Sequence, residues 1–158
     1  MVASDHAPHL VSEKDVDLKA APSGVPGVET LMPLMIAAVR KNILALAQMV
    51  MLTSWNPAKT FGLDRKGKGR LEVGFDADLI IVNPRTLQPI KAEMLHSKAG
   101  WTPFEGMDAV FPQYTLSRGE VIWTEGFIDA KAGRGNFLEG NGAGLGVDDE
   151  EDLEETGS

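Results

Sequence analysis

The sequence predicts an α/β chain in which helices come first and a sheet follows. Three observations carry that expectation. Apolar residues recur at the spacing of a helical face between Leu31 and Met51, the period becomes that of strands after Gly69, and a loop bearing Asp and His opens the chain.

Residues 1–4 are expected to be the end of a strand, running into a polar loop over residues 5–27 with three prolines and two glycines. So abrupt an opening reads as a cut through a larger protein. Leu31, Leu34, Met35, Ala38 and Val39 share one helical face, with Thr30 as the expected cap and Pro33 in the first turn, where proline is tolerated. A second face, Ile43, Leu46, Ala47, Val50 and Met51, follows the Lys41-Asn42 break. Asn56-Pro57 is expected to restart the chain into a short helix ending near Gly62.

Beyond Gly69, residues 71–74 are expected to be brief and extended. Leu79-Ile80-Ile81-Val82 reads as a buried strand closed by Asn83-Pro84. Residues 114–117 and 121–124, joined through Arg118-Gly119-Glu120, read as a hairpin, with Gly126 opening the next turn. Between them, residues 97–106 form a loop rich in Gly, Pro and aromatics. From Leu138 onward, glycines and acids offer no core-forming pattern, so residues 138–158 are expected to be a disordered acidic tail.

Composition sets further bounds. With 158 residues and 43% hydrophobic content, one core can be built. The net charge of −8 belongs to the tail: eight of the 23 acids fall between Glu139 and Glu155, which leaves 15 acidic against 15 basic residues elsewhere. A neutral body has no basic stripe for phosphates, so nucleic acid is not an expected partner. No apolar run approaches the roughly 18 residues of a membrane span, and no signal-peptide pattern opens the chain, so a cytoplasmic location without membrane contact is expected. Cysteine is absent, which leaves histidine, carboxylate or modified lysine as metal ligands.

The densest chemistry lies in Ala3-Ser4-Asp5-His6-Ala7-Pro8-His9. An Asp at a strand end with two histidines behind it is where a barrel enzyme places metal and substrate ligands, and a capped turn with surface histidines answers the same pattern. His6 has no chemical role in this reading and is expected to orient the loop. Trp101 and Phe104 are expected to anchor their loop, and His96 and Lys98 to be structural. Gly67-Lys68-Gly69 lacks the Ser or Thr of a phosphate loop and reads as a turn.

The whole opening string resembles the dihydroorotase signature. The resemblance continues through Ala21-Pro22-Ser23-Gly24-Val25-Pro26-Gly27-Val28-Glu29-Thr30, Asn56-Pro57-Ala58-Lys59 with Phe61-Gly62, Gly67-Lys68-Gly69, Leu71-Glu72-Val73-Gly74, Asp76-Ala77-Asp78-Leu79 and Ser97-Lys98-Ala99-Gly100-Trp101-Thr102-Pro103-Phe104-Glu105-Gly106. It spans about Val2 to Gly126 in order.

That resemblance implies the C-terminal fragment of a metal-dependent (β/α)8 barrel and the C-terminal part of a small β-sandwich. Residues 1–70 would be the last barrel strand, the active-site loop and the following helices; residues 71–137 would be the sandwich part with its embedded loop. The implied reaction interconverts dihydroorotate and N-carbamoyl-L-aspartate in pyrimidine synthesis, with Zn2+ as cofactor. By the same resemblance Asp5 would be a metal ligand and the base that takes a proton from water and returns it to the leaving nitrogen. His9 would hold the substrate carboxylate, and the backbone at Ser23 and Gly24 would meet the pyrimidine ring. Ser23 stands where relatives often have proline or alanine.

The other implied ligands, a His-x-His pair, a carboxylated lysine and two further histidines, are missing, since His6, His9 and His96 are the only histidines. A barrel of this kind takes about 250 residues. The expected partners are therefore the missing N-terminal barrel portion and a small-molecule substrate, with a homo-oligomer or a pyrimidine-pathway partner left open. The chain alone is expected to be inactive. A non-catalytic supporting subunit and a hydantoinase or allantoinase fragment are the alternatives.

Overall fold

The structure, a computed structural model, describes residues 1–140; the rest of the expected acidic tail lies outside the described residues. Four α-helices precede a four-stranded antiparallel sheet. Helix α1 is Val11–Lys14, α2 is Leu31–Arg40, α3 is Leu46–Val50 and α4 is Asn56–Thr60. Strands follow at β1 (Leu79–Val82), β2 (Gln88–Pro89), β3 (Asp108–Ala109), β4 (Pro112–Ser117), β5 (Glu120–Thr124) and β6 (Phe127–Ile128). Among the described residues no helix is long and apolar enough to cross a membrane.

Residues 1–4 do not form a strand, contrary to expectation. A strand needs flanking strands to satisfy its backbone, and what residue 2 finds instead is a helix: the Val2 amide donates to the Leu52 carbonyl at 3.0 Å. That carbonyl is free for a local reason. Between α3 and α4 the chain makes a π-turn over Met51–Trp55, and the Asn56 amide reaches back five residues to Met51. The same spacing would pair residue 57 with Leu52, but Pro57 has no amide hydrogen. The short helix expected from Asn56-Pro57 is present as Asn56–Thr60, but no break precedes it. Pro57 sits inside one continuous rod and leaves a carbonyl for the N-terminal segment.

Helix α2 begins as its pattern predicts, although Thr30 is not a side-chain cap. Its hydroxyl, fully buried, donates back to the Gly27 carbonyl at 3.2 Å. The helix closes at Asn42, whose φ of 56° is the left-handed conformation common just past helix ends. Ile43, placed by its spacing on the second helix, lies outside α3 and is exposed. The core joins Ile36, Met49 and Val110, with Met32, Met35, Val39, Leu44, Val82 and Leu87 packed around them. Val110 is locked there because its amide donates to the Pro33 carbonyl at 3.1 Å.

The sheet runs β1-β4-β5-β6. The expected hairpin is present and slightly longer, with Ser117 opposite Glu120. Its two turn residues, Arg118 and Gly119, have φ of 49° and 80°, the positive values that a two-residue hairpin turn requires. Strand β1 forms where predicted but is not buried: the adjacent Ile80 and Ile81, which point to opposite faces, are both exposed. Residues 71–74 are a turn rather than a strand. Side chains around it hold that segment: Arg70 stacks between Trp55 (4.8 Å) and Phe75 (4.6 Å), and Lys68 bonds Asp76 at 2.7 Å and Asp78 at 2.5 Å.

A cleft of about 910 Å³ lies between the helical rod and β1, and Leu138 lines it. Leu138, expected to begin the disordered tail, is thus placed against the body, and Gly140 lies so close to the Phe61 carbonyl that a Cβ would stand 2.8 Å from it.

Candidate active site

The expected site residues are brought together by two loops that touch along their length. One is residues 4–9, the other residues 22–28. The Ala7 amide donates to the Val25 carbonyl at 3.1 Å, and His6 and Val25 form an isolated bridge. The approach is closest at Gly24, where a Cβ would stand 2.5 Å from the Ala7 Cβ and 2.7 Å from the Ala7 oxygen, with φ at 108°. Only glycine fits there.

Asp5 is exposed at this junction, with φ of 44°. Asp is one of the few residues with a side chain that tolerates left-handed backbone, and that conformation still costs on the order of 1–3 kcal/mol unless the surroundings hold it. His6, the next residue, is bonded across the junction. Its Nδ1 accepts hydrogen bonds from the Gly27 amide (3.0 Å) and the Val28 amide (3.1 Å). The expected loop-orienting role thus has a specific geometry, although the ring is exposed rather than packed.

His9 is half-buried at the far end of the first loop. Its backbone carbonyl accepts a 2.8 Å bond from the Trp101 indole nitrogen, so the aromatic loop of residues 97–106 anchors the site itself. The Glu13 carboxylate lies 3.8 Å from His9 Nδ1 and accepts the Leu10 amide at 2.7 Å. Ser23 is exposed, and the carbonyls on either side of it, Pro22 and Gly24, accept bonds from Lys14 Nζ at 2.8 and 3.1 Å. Lys14 also lies over the Trp101 ring at 5.9 Å. Lys14 was not singled out from the sequence; the available signal was a cation near a Pro/Gly loop whose carbonyls need donors, and Lys19 offers the same signal.

His96 has the structural surroundings expected of it. Its Nδ1 and amide both meet the Glu29 carboxylate at 2.8 Å, and its ring stands edge-on to Trp123 at 5.2 Å. Lys68, in the expected turn, is likewise structural. Burial opposes its charge, but hydrogen bonds to Asp76 and Asp78 more than offset this and raise its pKa above the ordinary lysine value. Burial would raise Asp78 too, yet bonds from Lys68 and the Arg118 amide hold its carboxyl below the usual carboxylate range.

Among the described residues no group of three or more His, Asp or Glu side chains could hold a metal ion. Asp5 offers a single carboxylate, and His6 turns its Nδ1 toward backbone amides. The residues present do not make a metal centre by themselves. The 910 Å³ cleft contains none of Asp5, His9, Ser23 or Gly24.

Comparison with known proteins gives this geometry a context. The Amidohydrolase family matches residues 1–122. The dihydroorotase of Methanosarcina acetivorans is 79% identical over 158 residues, which is 100% of this chain and 34% of that protein. The dihydroorotase of Halobacterium salinarum is 46% identical over 134 residues, 85% of this chain and 31% of its own length. Among solved structures, a D-hydantoinase superposes with a TM-score of 0.82 at 33% identity, covering 88% of this chain and 31% of the hydantoinase. The dihydropyrimidinase of Brevibacillus agri gives 0.80 at 32% identity over 86% of this chain and 31% of its own. The chain spans about a third of the length of the curated relatives it matches.

Proposed function

The chain belongs to the Amidohydrolase family, and from that premise we propose that it supplies the C-terminal catalytic segment of a dihydroorotase, acting on the cyclic amide of dihydroorotate and, in reverse, on N-carbamoyl-L-aspartate. The observation that carries this reading is 79% identity to a dihydroorotase across every residue of the chain. Hydantoinases share the fold at 33% identity, far below that value.

In this reading Asp5 is the base. Its carboxylate takes the proton from the attacking water and returns it to the ring nitrogen that leaves. His9 meets the substrate carboxylate, its backbone held by Trp101 so that the ring is free to do so. Ser23 and Gly24 present their backbone to the ring, kept in place by Lys14. Members of this family are generally metal-dependent, and Asp5 would be one ligand of a zinc whose other ligands lie outside these residues. The helices support assignment of residues 1–70 to the end of a barrel. Strands β1, β4, β5 and β6 support assignment of residues 71–137 to the C-terminal share of a β-sandwich. Its partner is then the remaining barrel portion, in a cytoplasmic enzyme.

The test is a graft in which this chain replaces the matching segment of the Methanosarcina acetivorans protein. Hydrolysis of dihydroorotate in preference to dihydrouracil supports the reading, and the reverse preference overturns it.

A further inference from the structure

His6 is the one side chain at the loop junction to which the chemistry above gives no part. Its hydrogen bonds are specific. A backbone amide can only donate, so an Nδ1 that meets the Gly27 and Val28 amides at 3.0 and 3.1 Å must carry a lone pair. The ring is then the neutral tautomer with its proton on Nε2. The two amides share that one lone pair, and they lie 21 and 22 residues away in sequence. They sit at the start of the turn that leads into α2, where the Gly27 carbonyl accepts both the Leu31 amide and the Thr30 hydroxyl.

What these bonds hold is the backbone next to Asp5. Asp5 is the residue immediately before His6 and has φ of 44°, a conformation that persists only when its neighbours fix it. On the other side of the junction, Gly24 and Ala7 are in contact with no room for a Cβ. A shift of the His6 ring would therefore move the Asp5 carboxylate and the Ser23-Gly24 backbone relative to each other. Those are the two groups that must face one substrate from opposite loops.

We propose that His6 is a positioning residue, a neutral imidazole clamp that ties the Asp5 loop to the Gly24–Val28 loop and so fixes the Asp5 carboxylate against the ring-binding backbone. The role rests on the reading of Asp5 as the base. Because the δ oxygen of Asn occupies the place of Nδ1, His6→Asn keeps the acceptor, whereas His6→Gln moves it one bond outward and His6→Ala removes it.

Two measurements test the clamp. In the 158-residue chain labelled with nitrogen-15, the imidazole shifts report the tautomer and amide exchange reports Gly27 and Val28. The expected result is an unprotonated Nδ1 and slow exchange at both amides, lost in His6→Ala and regained in His6→Asn. A proton on Nδ1, or exchange unaffected by His6→Ala, overturns the proposal. In the Methanosarcina acetivorans graft, His6→Ala should lower kcat by about 10- to 100-fold with KM largely kept, the signature of a displaced catalytic group rather than lost binding. His6→Asn should recover most of that loss and His6→Gln should not. Equal loss in all three variants would mean that the ring, not its acceptor, matters, and overturns the clamp. An unaltered graft that fails to hydrolyse dihydroorotate would overturn the function on which the role rests, while the tautomer and exchange readings would still decide whether the clamp exists.

Discussion

The Trp101 indole donates to the His9 carbonyl at 2.8 Å across 92 residues of sequence, and this bond holds the backbone that carries the His9 ring. Trp101→Phe keeps the aromatic surface and removes the donor. The lost bond should cost about 0.5–1.5 kcal/mol of stability. If His9 meets the substrate carboxylate as proposed, KM for dihydroorotate should rise in the graft while kcat changes little. A fall in kcat with KM unchanged would show that Trp101 acts on some group other than His9.

The close approach of Gly24 to Ala7 leaves no space for a methyl group. Gly24→Ala must force the two loops apart as well as strain a φ of 108°. The backbone strain alone should cost about 1–3 kcal/mol, read by denaturant unfolding. The graft should lose most of its activity. Full activity in a variant of normal stability would mean that the second loop does not meet substrate.

Pro57 provides a test of the rod. Pro57→Ala supplies an amide that competes for the Leu52 carbonyl, so the Val2 amide should be released and its hydrogen exchange should quicken while helix content holds or rises. Unchanged protection at Val2 would show that the π-turn alone, not the missing amide, frees that carbonyl.

These relationships show where sequence reasoning reached and where it stopped. Helix α2 and the β4–β5 hairpin are written in local pattern: apolar spacing in one case, and Arg118-Gly119 between two strand runs in the other. The π-turn was not legible, because side-chain spacing over five residues hardly distinguishes a reach of four from one of five. Residues 71–74 looked like a strand for their composition, and what makes them a turn is the stacking of Arg70 on Trp55, a partner 15 positions away. The exposure of Ile80 and Ile81 depends on what covers the sheet, which no local pattern reports. At the site, the motif indicated Asp5, His9, Ser23 and Gly24, and the two loops that carry them do meet. The use of Lys14 and of His6 Nδ1 depends on the position of single atoms, which residue types do not specify.

The pairing of Lys68 with Asp78 predicts a pH dependence. Asp78 has a folded pKa below its ordinary value of 3.8, so its contribution to stability is present above that value and is lost as pH falls below it. Lys68 has a folded pKa above 10.5, so its contribution is present below that value and is lost as pH rises beyond it. Because Asp78 also accepts the Arg118 amide at 2.8 Å, losing its charge should loosen the hairpin turn as well. Thermal unfolding of the chain should therefore show a lower midpoint at pH 3 than at pH 7, and Asp78→Asn should narrow the gap. An Asp78→Asn variant with the same acid loss as the parent would assign the sensitivity to other carboxylates.

The central claim is that Asp5 is the base of a dihydroorotase completed by residues outside this chain. The most direct measurement is the rate of dihydroorotate hydrolysis by three proteins: the isolated chain with added zinc, the Methanosarcina acetivorans graft, and the graft carrying Asp5→Asn. The account predicts no turnover by the isolated chain, turnover by the graft, and a loss of about 10²- to 10⁴-fold in kcat on Asp5→Asn with the fold intact. Turnover by the isolated chain, or an Asp5→Asn graft as fast as its parent, would contradict it.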